Sequence, residues 1–440
     1  MGRQDSLLKG PAAAKREQAA DQEVGAVLAD LAEVEAEIRR HSPRYAALTQ
    51  PPAATSNEIQ RLLDGRTLLL EYALGEERSF LWAVDREAVT GFELPSRARI
   101  EEAAREVYGG LSVLAPGEAG ESRLARAAAH LSRMLLGPVA GRLAGRRLII
   151  VADGELQYIP FGALPLPGGS GAPLVTRHEV LNAPSATALI LQRRLARREP
   201  ATGVVAVLAD PVFDAADPRV AARSGTGGRE PSPARSSAGS GPLLRLPWTR
   251  REAQAIAAAV PPGRSLLALD FRASRKTALS PELSQYRIVH FATHGLIDAQ
   301  TPALSGLMLS RVEKRGAAVD GFLGLGDIYN LRLGADLVVL SGCETALGKN
   351  VRGEGLVGLT QGFLYAGARQ VVASLWRVED QATAELMSHF YRLLSSTGRT
   401  PAAALRLAQL AVRNDKRWRS PYYWSGFVLQ GDWETVSLAR

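Results

Sequence analysis

Hydrophobic and polar positions change their spacing several times along this chain, and each change marks an element. Between residues 13 and 41, Val24, Val27, Leu28, Leu31, Val34 and Ile38 recur at three- and four-residue steps among glutamates and arginines. That spacing predicts one amphipathic helix, suited to packing or to docking a partner. From Arg66 the period shortens to the β-rich runs TLLLEYAL, SFLWAVDR and VTGFELP, with turn residues between them. Two helical stretches, 98–108 and 121–136, precede the runs RRLIIVAD and LQYIPFGAL. PSATALILQRRLARR opens at Pro-Ser as a helix, and GVVAVLAD then reads as a fully buried strand ending at Asp210. A second block repeats the alternation. Its expected helices are 250–260, 275–283, 325–331, 355–367, 381–395 and 401–413, and its strands are SLLALD, RIVHFAT, GLMLS, DLVVLS and QVVASLW. Strands alternating with helices imply an α/β fold with mainly parallel sheets. Between the blocks, DAADPRVAARSGTGGREPSPARSSAGSGP offers almost nothing that could build a core, so residues 216–243 read as a flexible linker. The expected organisation is an N-terminal helical segment at 1–43, a first half at 44–215, the linker, and a second half at 244–440.

At 440 residues the chain is long enough for two to three domains of ~150 residues, and no apolar run reaches the ~18 residues of a membrane span. The polar N-terminus has no apolar stretch that would read as a secretion signal. Cys343 is the single cysteine, which precludes an intramolecular disulfide and fits a reducing compartment, so a cytoplasmic location is expected. The formal charge of +8 invites a nucleic-acid partner. Only six of the 53 basic residues are lysines, however, and the arginines are spread along the whole chain beside 45 acids. That is a compositional bias rather than a basic stripe with stacking aromatics, and it argues against nucleic acid.

Two strands of the second block end in reactive side chains. RIVHFAT runs into His294 and Gly295, and DLVVLS runs into Gly342 and Cys343. In a parallel α/β sheet, side chains and unpaired backbone N–H groups converge at the carboxyl ends of strands, which puts both residues on one edge. Cysteine hydrolysis needs a thiolate, an imidazole to take and return a proton, and N–H donors for the oxyanion. His294, Cys343 and the N–H groups of Gly295 and Cys343 supply all of these. The competing reading of a lone cysteine is a small core hydrophobe, but this thiol follows its strand, and the histidine precedes it by 49 residues, near the ~50 of caspase-like enzymes. HFATH lacks the glutamate of a zinc HExxH motif and lies on a strand, so His290 reads as a hydrogen-bonded core side chain and no metal is implied. GCETALGKN is one residue too long between its glycines for a phosphate-binding loop, and Asn350 stands where that loop has a hydroxyl. Glu344 either orders the nucleophile's loop or is solvated, Glu354 reads as a helix cap, and Trp376 is either core or the wall of a substrate pocket.

The segments VHFATHG, LSGLMLS, LVVLSGCETALG, GEGLVGLTQGFLYAGARQVVASLWRVED and YYWSGFVLQGDW resemble the CHAT domain, a relative of caspases, separase and gingipains in the caspase-like cysteine peptidase clan. The likeness extends upstream through SPRYAAL, LLLEYALGEERSFLWAV, IPFGALP and LNAPSAT. It implies two caspase-like α/β/α halves, the first pseudo-catalytic and the second carrying a His294–Cys343 dyad. It also implies a regulated, cytoplasmic, bacterial cysteine endopeptidase that cleaves a protein partner without a cofactor; a catalytically silent scaffold is the alternative. Such proteins often carry tetratricopeptide arrays before the domain. One helix of about 30 residues is expected there instead, which leaves the usual sensor module either missing or supplied by a separate sensor or activator protein. In caspase-like folds the side chain before the cleaved bond, P1, enters a pocket beside the nucleophile strand. RVED ends in Asp380, four residues after Trp376, resembling an LWxxxD segment associated in separases with binding arginine. A basic P1 is therefore expected at Asp380, with helix capping as its other reading, Asp298 as a competing acid, and Arg377 as a residue that would favour an acidic P1 if it pointed inward. Arg223, Arg229 and Arg235 make the linker an expected site of self-cleavage.

Overall fold

Seven consecutive residues of Gly203–Ala209 are buried, the signature of a strand covered on both faces, and this strand lies one in from the edge of a large sheet. The computed structural model describes residues 53–114, 117–169, 171–195, 201–220, 243–297, 304–342, 354–395 and 399–433. The expected helix at 13–41, the whole 1–43 segment and most of the linker lie outside these residues. In chain order the strands are β1 (Thr67–Ala73), β2 (Ser79–Val84), β3 (Val89–Leu94), β4 (Arg147–Val151), β5 (Val180–Asn182), β6 (Gly203–Ala209), β7 (Ser265–Leu269) and β8 (Tyr286–Ala292). Then follow β9 (Gly295–Leu296), β10 (Gly306–Met308), β11 (Phe322–Gly324), β12 (Leu337–Leu340), β13 (Gln370–Ser374) and β14 (Phe427–Gly431).

Eleven of these strands form one sheet in the order β3-β2-β1-β4-β5-β14-β13-β12-β8-β6-β7, and β9, β10 and β11 form a small separate one. β7, β6, β8, β12 and β13 run parallel; β14 is antiparallel to β13 and parallel to β5, β4 and β1. Two parallel runs of opposite direction therefore meet at β13 and β14, and the carboxyl ends of β6, β8, β12 and β13 share one edge. This mixed α/β architecture agrees with the expected two halves of mainly parallel strands. The strands show where the halves change over: β6, inside the 44–215 segment, pairs with β7 and β8 and so belongs to the second run.

The described α-helices are α1 (Ser56–Leu62), α2 (Arg97–Leu111), α3 (Gly117–Leu136), α4 (Ala186–Leu195), α5 (Trp248–Ala258), α6 (Arg275–Ala278), α7 (Leu325–Asn330), α8 (Glu354–Tyr365), α9 (Asp380–Leu394), α10 (Pro401–Asn414) and α11 (Pro421–Trp424). Alternate strand residues feed the two cores because side chains switch face at each step. Leu208, Phe291, Leu340 and Ala373 pack with α2, α3, α7 and α8 on one face. Val207, Ile288, Val339 and Val372 pack with α5, α9 and α10 on the other. The run LQYIPFGAL folds as two 3-10 turns, Gly154–Tyr158 and Phe161–Ala163, around Pro160, which has no N–H to give a ladder.

Candidate active site at the carboxyl ends of β8 and β12

Beyond β8 the chain turns out of the large sheet at Thr293 and His294. The Thr293 hydroxyl donates to the Met308 carbonyl, and the Met308 N–H donates to the His294 carbonyl at 2.8 Å. The next antiparallel pair, Gly295 with Leu307, is then a non-hydrogen-bonded one, so the Gly295 N–H is directed away from β10. The His294 side chain is 2% exposed and its ring lies against Phe213, with centroids 5.1 Å apart. Nε2 lies 2.6 Å from the Leu244 carbonyl oxygen. A carbonyl can only accept, so Nε2 donates, which leaves Nδ1 as the nitrogen able to accept a proton.

β12 brings its end against the same place. Leu340 is level with Phe291, and the Ser341 N–H donates to the Phe291 carbonyl at 3.0 Å, so the strand runs level with β8 to its end. Gly342 then meets Thr293 so closely that a Cβ there would lie 2.4 Å from the Thr293 carbonyl oxygen and 2.6 Å from its nitrogen. Only glycine permits that approach. Cys343, Glu344 and Asp298 lie outside the described residues.

Asp380 is the first residue of α9. The N-cap of that helix is Glu379, whose side chain accepts the Ala382 N–H at 2.8 Å, and Asp380 instead reaches the start of α5, where Oδ2 accepts the Trp248 N–H at 3.0 Å. Burial, with Glu252, Glu379 and Asp210 nearby, pushes its carboxyl up to about 6, against the lowering pull of the Trp248 N–H. Trp376 is 2% exposed: its Nε1 donates to the Tyr422 carbonyl at 3.0 Å, and its ring meets Tyr108 of α2 edge-on. The structure thus brings His294 and Gly342 together, sets Asp380 on the segment that also holds His294, and buries Trp376 between β13 and α2. A cavity between β5 and α10, lined among others by Phe161, Asn182 and Gln409, contains none of these residues. Sequence reasoning did not single out Leu244 or assign Asp210 a role. Nothing in their local pattern signals one, since Leu244 acts through its backbone.

Among the described residues, no helix is long and apolar enough to cross a membrane. The CHAT domain family model matches residues 125–432. Tetratricopeptide repeat protein 28 of Homo sapiens is 28% identical over 323 residues, covering 65% of this chain and 12% of that protein. The Mus musculus protein of the same name is 40% identical over 105 residues, or 24% of this chain and 4% of that one. The chain therefore corresponds to a small part of these relatives. Among solved structures, the Saccharomyces cerevisiae separase–securin complex superposes with a TM-score of 0.50 at 11% identity, covering 90% of this chain and 31% of that one. The latter likeness is one of fold, the caspase-like α/β arrangement.

Proposed function

Because this chain belongs to the CHAT domain family, we propose that it is a cysteine endopeptidase whose nucleophile is Cys343 and whose proton shuttle is His294. The observation that carries the reading is the buried His294 ring, fixed by the Leu244 carbonyl so that Nδ1 accepts, beside the Gly342 end of β12. Cys343 follows Gly342 by one peptide unit, ~3.8 Å between Cα atoms. In this mechanism the thiol proton passes to His294 Nδ1 and Sγ attacks the scissile carbonyl carbon. The oxyanion is met by the N–H groups of Gly295 and Cys343. His294 returns the proton to the leaving nitrogen as the C–N bond breaks, and water then hydrolyses the thioester by the same relay. The substrate is a protein partner. Profiling against a peptide library, beside a thiol-directed probe, tests the reading; a protein that neither cleaves nor labels overturns it.

Asp380 supports a basic P1. A half-buried carboxylate surrounded by other acids gains from a guanidinium, by a charge-assisted and bidentate contact, and repels an acidic side chain. Asp380→Asn is expected to lower the preference for P1 Arg or Lys, and a library profile dominated by Asp would reject the assignment. The same substitution has a stability signature. The carboxyl lies at about 6 in the folded chain against an ordinary 3.8. The folded state therefore binds more protons between those values, and the cost of Asp380 to stability appears as pH rises through this window and is complete above it. Asn keeps an acceptor for the Trp248 N–H. Asp380→Asn should therefore stabilise the protein by about 1 kcal/mol at pH 8, after allowance for solvent screening, and by nothing at pH 3. Chemical denaturation at the two pH values checks this.

Self-cleavage is a further expected outcome. Mass spectrometry of active preparations should find cuts after Arg223, Arg229 or Arg235, and Cys343→Ala preparations should stay intact; equal nicking in both would indicate another protease.

A further inference from the structure

The chain leaves β6 at Asp210 and returns to the same carboxylate from both sides of residues 221–242. The Asp210 side chain is fully buried, and its backbone stands at φ +49°, a conformation uncommon without glycine. Arg245 holds it side-on, Nε donating to Oδ1 and Nη2 to Oδ2, each at 2.8 Å, two parallel bonds from one edge of the guanidinium. Arg250 adds a 2.8 Å contact from Nε, and Arg219 a 3.0 Å contact from Nη1. Arg219 is also bound to Asp217 and Asp270, and Arg250 to Asp270, so three guanidiniums face three carboxylates. The Asp210 N–H donates to the Thr249 hydroxyl at 3.1 Å.

Arg219 precedes residues 221–242, and Arg245 follows them and comes directly after Leu244. The Leu244 side chain is 63% exposed, so packing of that side chain does not locate its backbone. Its carbonyl nevertheless lies 2.6 Å from His294 Nε2. The bidentate Arg245–Asp210 pair is the fixed point next to it, because a planar fork on a buried carboxylate allows little rotation.

We propose that Asp210 is a positioning residue for His294: by clamping Arg245 it holds the Leu244 carbonyl on Nε2, and by also clamping Arg219 it keeps that carbonyl in place when the chain is cut between 221 and 242. The catalytic half of this inference rests on His294 being the proton shuttle; the positioning half does not. Arg245→Gln is the informative variant, because its side chain is 40% exposed and Asp210 keeps Arg219 and Arg250. Imidazole 15N NMR of the full chain, with the His294 signal identified by its loss in His294→Ala, should show a slowly exchanging Nε2 proton. That proton should be lost in Arg245→Gln and partly kept in Arg245→Lys. With the peptide substrate, kcat should fall about 10- to 100-fold in Arg245→Gln at nearly constant KM, the cost of a misplaced base rather than of lost substrate contacts. Full chain carrying a site-specific protease sequence at 228–234, cut to completion, should retain the resonance. An unchanged resonance in Arg245→Gln, or its disappearance on cutting, overturns the proposal. The expected NMR pattern in a protein that cleaves nothing would leave the positioning standing and reject the peptidase reading.

Discussion

Cys343→Ala abolishes peptide cleavage and His294→Ala lowers it by about 10³-fold or more, with both variants still folded: this is the expected result if the dyad does the chemistry. The first removes one atom. The second removes a ring that makes a hydrogen bond to Leu244 and a contact with Phe213, a loss of about 2 kcal/mol that a domain of ordinary stability survives. Cys343 is the only cysteine, so labelling by a thiol-directed alkylating probe reports on it alone. An imidazole partner lowers a thiol from its usual ~8.5, so wild-type protein should label rapidly near pH 6, and His294→Ala should label slowly there and recover above pH 8. Wild-type turnover in Cys343→Ala would reject Cys343 as the nucleophile, and a wild-type protein that neither cleaves nor labels would leave the silent scaffold as the function of the same cleft. Equal labelling rates in wild type and His294→Ala would separate the two residues and reject the shared proton.

The reach of the sequence ends where chemistry passes through the backbone or through distant partners. Buried runs such as GVVAVLA and LVVL announce central strands, and the positions of His294 and Gly342 just past two of them are legible because strand ends gather functional groups. The alternation cannot say that both halves share one sheet, since the antiparallel meeting of β13 and β14 is a tertiary pairing. β5 is three residues long, too short to carry a period. Asp380 looks like a helix cap from sequence because an acid at a helix start commonly is one, yet Glu379 takes that role and Asp380 bonds Trp248, 132 residues earlier. Leu244 is silent in sequence for a stronger reason: any residue but proline offers the same N–H and carbonyl, so a backbone contact leaves no mark on residue type. Asp210 is visible as the end of a strand, and only the structure shows three arginines converging on it.

The two histidines of HFATH should fail in opposite ways, and His290 should fail through stability. His290 is fully buried, with Nδ1 3.0 Å from the Tyr391 hydroxyl and Nε2 3.0 Å from Ser341 Oγ. Glu252, 1% exposed on α5, has Oε1 2.9 Å from the same Nε2, and neither carboxylate oxygen has any other partner among the described residues. That distance comes without hydrogen-bond direction, so proximity rather than alignment sets the carboxylate beside the ring. Burial and Glu252 push the Tyr391 hydroxyl well above its ordinary value, which keeps its proton in place to donate to Nδ1 and turns the Nε2 proton toward Ser341 and Glu252. His290→Leu fills the space but strands the Glu252 carboxylate in the core, and removing one member of such a pair costs about 3–5 kcal/mol. The expected result is a Tm lower by roughly 5 °C. Glu252→Met should restore most of the loss in the His290→Leu background, because a buried pair can be exchanged for apolar side chains at little cost when both members go. Additive effects in that double-mutant cycle would mean that Glu252 is held by something other than His290. The effect of His294→Ala, by contrast, should appear in turnover.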